Sequence, residues 1–446
     1  MKTKSKVKKL KTGFISRNIT LGRLSAKTAL ALVGKKNPDD IIASLAKQAK
    51  GWVKELGHLK GGLMKIGQMI TMLDDKIIPA QIKDIFAPLG SQSIELDSKV
   101  IEGILAKRLG HERLKKLDWE REPYASASIG QVHRARIKKT NENIVLKIQY
   151  PRVAKTLDTD IKTFAHLFKI LNVWPGFDKA QAEEHLAEVK SILAMEMNYK
   201  NEAKNLQTFS TFFEDYDNIL VPKHYEEFST RTILAMEYLP GKPFNREMTK
   251  ELSKADRHQL AITVVYSLLA ELFDLQLVQT DSHAANFRLT QTPDGPKLIM
   301  LDFGALKKVS KNRLHTLKKL GAVWFHGRDQ GLHDALLDIG LLEPHDSQEI
   351  VELYTRITRV SFAALCPDKH PFQNPSSPRL GSKAWGDFLA KWQKDYLKII
   401  GLVSRPLPQD LLFLGRRLLG VRDFLEQLDP DWNHPDFESL LSRYLS

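Results

Sequence analysis

The stretch LVQTDSHAANFRLTQTPDGPKLIMLDFG, residues 277–304, decides the fold. Asp281 and Asn286 stand in a D-x-x-x-x-N spacing near its start, and Asp302-Phe303-Gly304 closes it behind the apolar, strand-like LIML. The intervening FRLTQTPDGPKLIM reads as a hairpin built around an Asp294-Gly295 turn. Upstream, the apolar run from Ala261 to Val278 is interrupted by Glu271 and Asp274, so it reads as a core helix leading into the loop and not as a membrane span.

The same order of parts continues towards the N-terminus. Lys147 lies in the strand-like IVLKIQY, where alternation can turn one basic side chain into a cleft while its apolar neighbours face a core. IGQVHRARI, the polar turn KKTNEN and IVLKIQY together form a hairpin signal. Asp178, with Gln181 three positions on, can cap a helix whose apolar periodicity runs towards Phe213, as one long helix or two, and Glu202 lies on it. Phosphoryl transfer needs a cation on the nucleotide phosphates, carboxylates for Mg2+ and a group beside the nucleophile. Lys147, Glu202, Asp281, Asn286 and Asp302 meet these needs in the chain order of a protein kinase. The expected fold is α+β: a protein-kinase-like two-lobed fold with a helical N-terminal extension. The expected divisions are a basic arm at 1–38, a helical extension at 39–112, an N-lobe at 113–240 and a C-lobe at 241–446, with Pro240-Gly241 in the linker.

Four further stretches narrow the resemblance: KIGQ at 65–68, ASASIGQVHRA at 125–135, NYKNEAKNL at 198–206 and LPQDLLFLGRRLLGVRDFLEQLDPDWN at 407–433. Over roughly residues 55–435 the chain resembles the UbiB/AarF-domain family of atypical kinases, which serves ubiquinone biosynthesis. The resemblance implies ATP and Mg2+ as cofactors. Asp302 and Asn286 would hold the metal, Lys147 and Glu202 would orient the phosphates, and Asp281 would be the base-like residue. Ala125, Ser126, Ala127 and Ser128 would form the phosphate-covering turn, where a protein kinase has glycines; Cβ atoms make such a loop stiffer and limit turnover. Glu237 and Tyr238 sit where the hinge beside adenine would run. His283 has either a role in the loop or a packing role. Lys65 and Gln68 share a helix face, and by resemblance that helix folds over the active site and faces an E-x-D motif.

Here the motif reads Glu196-Met197-Asn198, with an amide where the family has a second carboxylate, which loosens any latch to Lys65. The catalytic loop begins QTD with Gln279 in place of a histidine, a form similar to the family's mitochondrial branch. Three functions stay open at this point. One is an enzyme that hydrolyses ATP or phosphorylates a small lipid-like molecule. Another is an ATP-binding regulator of quinone-pathway lipids or enzymes, and the third is a small-molecule phosphotransferase.

Of the formal charge of +14 carried by the 446 residues, eleven Lys and Arg fall in residues 1–38, which hold no Asp or Glu. The arm reads as a solvated tail, an anionic-membrane or nucleic-acid contact, or a transit peptide. Nothing downstream interleaves aromatic and basic residues, so an anionic lipid surface is the expected partner and nucleic acid is not. The single cysteine, Cys366, excludes an intramolecular disulfide framework and a cysteine-built metal site, in keeping with a reducing compartment: bacterial cytoplasm, peripheral to the inner membrane, or the mitochondrial matrix in a eukaryote. Deleting residues 1–38 is expected to lower co-sedimentation with anionic vesicles and leave Mg2+-nucleotide binding intact. Because the Debye length shrinks from about 10 Å at 0.1 M salt to about 3 Å at 1 M, high salt should release the intact chain as well. Equal vesicle binding by both proteins would rule out the arm as the lipid contact.

Overall fold

The computed structural model describes residues 30, 44, 95–127, 129–151, 194, 197–280, 284–326, 331–363, 402–403 and 408–445. The basic arm apart from residue 30, Lys65 and Gln68 of the K-x-G-Q motif, Ser128, the helix start expected at Asp178, Glu196, Asp281, His283 and Cys366 lie outside the described residues. The chain divides into two units, residues 1–207 with 223–238, and residues 208–222 with 239–446.

In the first unit, helix α1 (Ser98–Leu109) starts at Asp97, whose side chain accepts the Lys99 amide, and ends at Gly110, where φ of 83° suits a residue without Cβ. A short helix α2 (His111–Lys115) follows. Strands β1 (Leu117–Trp119), β2 (Ala125–Ala127), β3 (Gly130–Ile137) and β4 (Asn143–Gln149) come next. The β3–β4 hairpin turns through Asn141, at φ 63°, in the KKTNEN stretch. Helix α3 (Tyr199–Phe212) and strand β5 (Ile219–Leu220) lead to β6 (Ile233–Glu237), which returns to the first unit. The sheet runs β1-β3-β4-β6, with β2 also paired to β3, and all its pairings are antiparallel.

One expectation changes here. Ala125, Ser126 and Ala127 form no turn; they pair in register with Val132, Gln131 and Gly130. Gly130 opens β3 at a close approach to β4, where a Cβ would stand 2.3 Å from the Ile148 carbonyl oxygen.

The second unit opens with β7 (Lys242–Pro243), α4 (Arg246–Lys250) and α5 (Lys254–Leu269). Asn245 and Ser253 cap the two helices by accepting the Met248 and Asp256 amides. The helix predicted from Ala261 to Val278 stops earlier: α5 passes into a single π-helical turn, Ala270–Asp274, and Val278 belongs to strand β8 (Leu277–Gln279). Strands β9 (Phe287–Thr292) and β10 (Gly295–Met300) form the hairpin read from sequence. Its loop is Pro293-Asp294, because Gly295, at φ 109°, already pairs with Thr292. The sheet order is β5-β10-β9-β7, and β11 (Leu306–Lys308) pairs separately with β8. Helices α6 (Lys311–Phe325), α7 (Leu332–Ile339), α8 (Gln348–Ala363), α9 (Gln409–Leu428) and α10 (Pro435–Leu445) complete the unit. Leu332, Leu336, Leu342, Ile350, Leu353 and Tyr354 form one core cluster, while Phe424 of α9 stacks edge-on against Phe244 and Phe287 at 4.4 and 5.0 Å.

The GQVHRA segment explains part of the first unit's order. The Leu96 amide donates to Gln131 Oε1 (2.8 Å), Gln131 Nε2 meets His133 Nε2 (2.9 Å), and His133 Nδ1 meets the Glu120 carbonyl oxygen (2.9 Å). A carbonyl can only accept, so Nδ1 carries the ring proton, Nε2 accepts from the Gln131 amide, and the imidazole is neutral. His133 has no solvent exposure, and burial pushes its pKa below the ordinary value. As pH falls through about 6.5 the unfolded chain gains a proton that the folded chain refuses, so the contribution present above that pH is lost below it. Between about pH 7.5 and 5.5 the wild type is expected to lose more stability than His133→Gln, by up to about 1.4 kcal/mol per pH unit, in denaturant titrations. Parallel pH dependences would exclude a neutral buried His133.

Candidate functional site

Strand β4 lies between β3 and β6, so both of its edges are paired, and its residues 144–149 are buried on both faces, Lys147 among them. Its ammonium donates to Glu202 Oε1 at 2.6 Å and stands 5.4 Å from the centroid of the Tyr199 ring. Glu202 is 1% exposed. Removing either partner would leave the other buried without its ion-pair partner. Asn198 sets where the helix under Glu202 begins: its carbonyl accepts the Asn201 and Glu202 amides, and its side chain accepts the Lys200 amide at 3.3 Å. An amide oxygen serves as a helix cap about as well as a carboxylate, so Asn198 has a structural duty independent of Lys65. At the end of β6 the Glu237 amide donates to the Lys223 carbonyl, and its carboxylate accepts the Lys223 amide at 3.2 Å. The Tyr238 amide donates to Asn143.

In the second unit the β9–β10 pairing brings Phe287 opposite Met300, and the Leu301 amide donates to the Asn286 carbonyl at 3.0 Å. Asn286 and Asp302 therefore sit at the same end of one hairpin, one residue out of register. Asp302 Oδ1 accepts the Gly304 amide (3.0 Å), and Phe303 is buried with its ring 5.1 Å from Phe209 of α3. Gln279 is nearly inaccessible; its side-chain amide donates to the Asp302 carbonyl oxygen, and Thr280 holds the Ala305 carbonyl through both its backbone amide and its hydroxyl. The amide at position 279 thus fixes the backbone of the Asp302 segment.

The backbone of Gln279 is held in turn. Its N–H donates to Glu271 Oε2 at 3.1 Å, and Glu271 receives a two-pronged ion pair from Arg417, Nη2 to Oε1 at 2.6 Å and Nε to Oε2 at 3.0 Å. Glu271 is fully buried and Arg417 is 1% exposed. Burial pushes the Glu271 carboxyl up, and the guanidinium and the Gln279 amide pull it back.

The ABC1 atypical kinase-like domain matches residues 89–331 of this sequence, more than half of the chain. The chain belongs to that family. Among its relatives, the mitochondrial atypical kinase COQ8 of Schizosaccharomyces pombe is 24% identical over 92% of this chain and 64% of its own length. The mitochondrial atypical kinase COQ8B of Danio rerio is 30% identical over 62% of this chain and 42% of its own. This chain thus spans from about two-fifths to under two-thirds of the length of those two relatives. The solved complex of Rv3197 with erythromycin from Mycobacterium tuberculosis is 22% identical, with a TM-score of 0.55, covering 90% of this chain and all of that one. That likeness concerns the fold, which is kinase-like, with helices and mainly antiparallel sheets. Among the described residues no helix is long and apolar enough to cross a membrane.

Two residues of this family member were missed as site residues in the sequence. Glu271 read only as an interruption of an apolar run, and Arg417 lay unremarked within the quoted C-terminal motif, beyond the matched domain. Its signal was positional: Phe413, Arg417, Val421, Phe424 and Leu428 recur at helical spacing, and the four apolar members are buried. Arg417→Met is expected to cost about 3–5 kcal/mol by stranding Glu271. Arg417→Met combined with Glu271→Gln should recover a large part, since a neutral amide oxygen can still accept the Gln279 N–H. Denaturant titrations of the wild type, both single variants and the double variant check this; additive losses in the double variant would show that the pair is not coupled.

Proposed function

We propose that this chain is an ATP-binding atypical kinase or ATPase of the UbiB type, working with Mg2+ and supporting ubiquinone biosynthesis at a membrane surface. The observation that carries the reading is the Lys147–Glu202 pair, 2.6 Å apart and buried. A cation fixed by a sealed carboxylate keeps one position and one charge state, which recognition of nucleotide phosphates requires. Asp302 and Asn286 add a carboxylate and an amide oxygen at one end of a hairpin, and an all-oxygen donor set is what Mg2+ accepts. Bound there, Mg2+ supplies charge compensation for the phosphates. In the same reading Asp281 orients the attacking hydroxyl or water, the backbone at Glu237 meets adenine, and residues 125–128 cover the phosphates. Lys65 and Gln68, with Glu196 and Asn198, restrict access by large substrates. The quinone-pathway assignment rests on the motif resemblance and on the COQ8 relatives, whose mitochondrial location favours mitochondria here.

A second reading, nucleotide binding by a regulator that transfers no phosphate, is favoured by β2. Ala125–Ala127 are committed to pairing with β3, and a ladder strand turns only part of its amides outward. ATP with Mg2+ is expected to raise the melting temperature of the intact chain, and Asp302→Asn should lose the Mg2+-dependent part of that rise. Phosphate release in the presence of anionic vesicles would favour the enzyme, and binding without release the regulator. An undiminished Mg2+-dependent shift in Asp302→Asn would reject the metal assignment.

A further inference from the structure

Within the second unit, helix α5 carries a histidine, His258, whose surroundings the nucleotide chemistry does not use. Both its ring nitrogens are buried, and neither has a hydrogen-bond partner among the described residues. Such a group is costly in an apolar setting unless something accepts its lone pair. The groups facing it come from the turn into α10: His434, with its ring centroid 4.1 Å away, and Asp436 in the first turn of the helix.

We propose that His258, His434 and Asp436 form a binding site for a divalent transition metal of the Zn2+ class. Asp436 Oδ2 lies 3.5 Å from His258 Nε2 and 3.3 Å from His434 Nδ1. Both distances exceed the usual N–H···O range of about 2.7–3.2 Å. They match the separation between two ligand atoms of a tetrahedral Zn2+ site, about 3.3–3.4 Å for bonds of roughly 2.0–2.1 Å. One candidate donor atom from each of the three residues lies within 4.8 Å of the others.

The Asp436 backbone N–H approaches His434 Nδ1 only at 3.4 Å, a long contact that a metal bound to that lone pair would replace. The donors are also held before any metal arrives: Trp432 stacks on Phe437 at 4.9 Å, and Phe437 meets the His258 ring edge-on at 5.4 Å. Asp436 and His434 are 57% and 44% exposed, which gives an ion a path from solvent and leaves room for water as a fourth ligand. Two imidazoles and one carboxylate select Zn2+, Co2+, Ni2+ or Cu2+ over Mg2+, which takes oxygen donors. Because His258 lies on α5 while His434 and Asp436 flank the start of α10, the ion would staple the C-terminal helix to α5.

Co2+ titration of the full chain, followed by visible absorption, tests this without reference to activity. The expected result is a band of four-coordinate Co2+ that saturates at one equivalent and is displaced by Zn2+. The apparent affinity should fall at least ten-fold in Asp436→Asn and in His258→Ala. It should be unchanged in His345→Ala, a control at an exposed histidine, and in Asp302→Asn. No saturable band, or equal affinity in wild type and Asp436→Asn, would overturn the proposal. Asp436 is a surface residue, so its variant keeps the test decisive if His258→Ala fails to fold. Asp436→Asn should also retain the ATP and Mg2+ thermal shift, and loss of that shift in the wild type would count against the nucleotide reading alone.

Discussion

A carboxylate sealed from water must meet a cation or give up its charge, and in the second unit that constraint falls on Glu271. Arg417 answers it from a helix far along the chain, using two parallel N–H donors that match both carboxylate oxygens. The remaining acceptor capacity of Glu271 is taken by the Gln279 amide, and the side chain of Gln279 then reaches the Asp302 carbonyl. Three consecutive contacts therefore run from a C-terminal helix to the backbone of the residue assigned to the metal. With glutamine at position 279 that carbonyl still has a donor, so this departure from the family pattern leaves the Asp302 backbone held.

The first unit solves a similar problem with the opposite emphasis. Lys147 and Glu202 gain little net stability from being buried together, because their desolvation offsets their attraction. What the pair provides is position: a lysine in the middle of a covered strand, held by a helix whose first turn is set by Asn198. Neutral hydrogen bonding does comparable work nearby, where Gln131 and His133 link Leu96 to Glu120 without any net charge.

The two proposed cation sites differ in donor chemistry. Asp302 and Asn286 offer oxygens only, whereas His258 and His434 offer nitrogens beside a single carboxylate. A hard ion has no reason to leave the first set for the second, and a borderline ion gains most from the imidazoles. Binding at the histidine site would order the start of α10 and would not involve the β9–β10 hairpin.

The sequence by itself determined the parts that depend on local order. The D-x-x-x-x-N spacing, the D-F-G tripeptide behind LIML and the hairpins around KKTNEN and FRLTQTPDGPKLIM were legible because strand alternation and turn chemistry act over a few residues. Where local pattern was ambiguous the reading slipped. The π-helical turn at Ala270–Asp274 carries the same apolar residues as a longer helix would, and the alanine-rich stretch became a strand because its partner, β3, supplied the ladder. Tertiary structure alone decided the long-range pairs. Arg417 is 146 residues from Glu271, and His258 is still further from His434 along the chain. A charged or titratable side chain in an amphipathic helix carries no mark of what it will face. Its partner is chosen only when helices from distant segments pack and water is excluded between them.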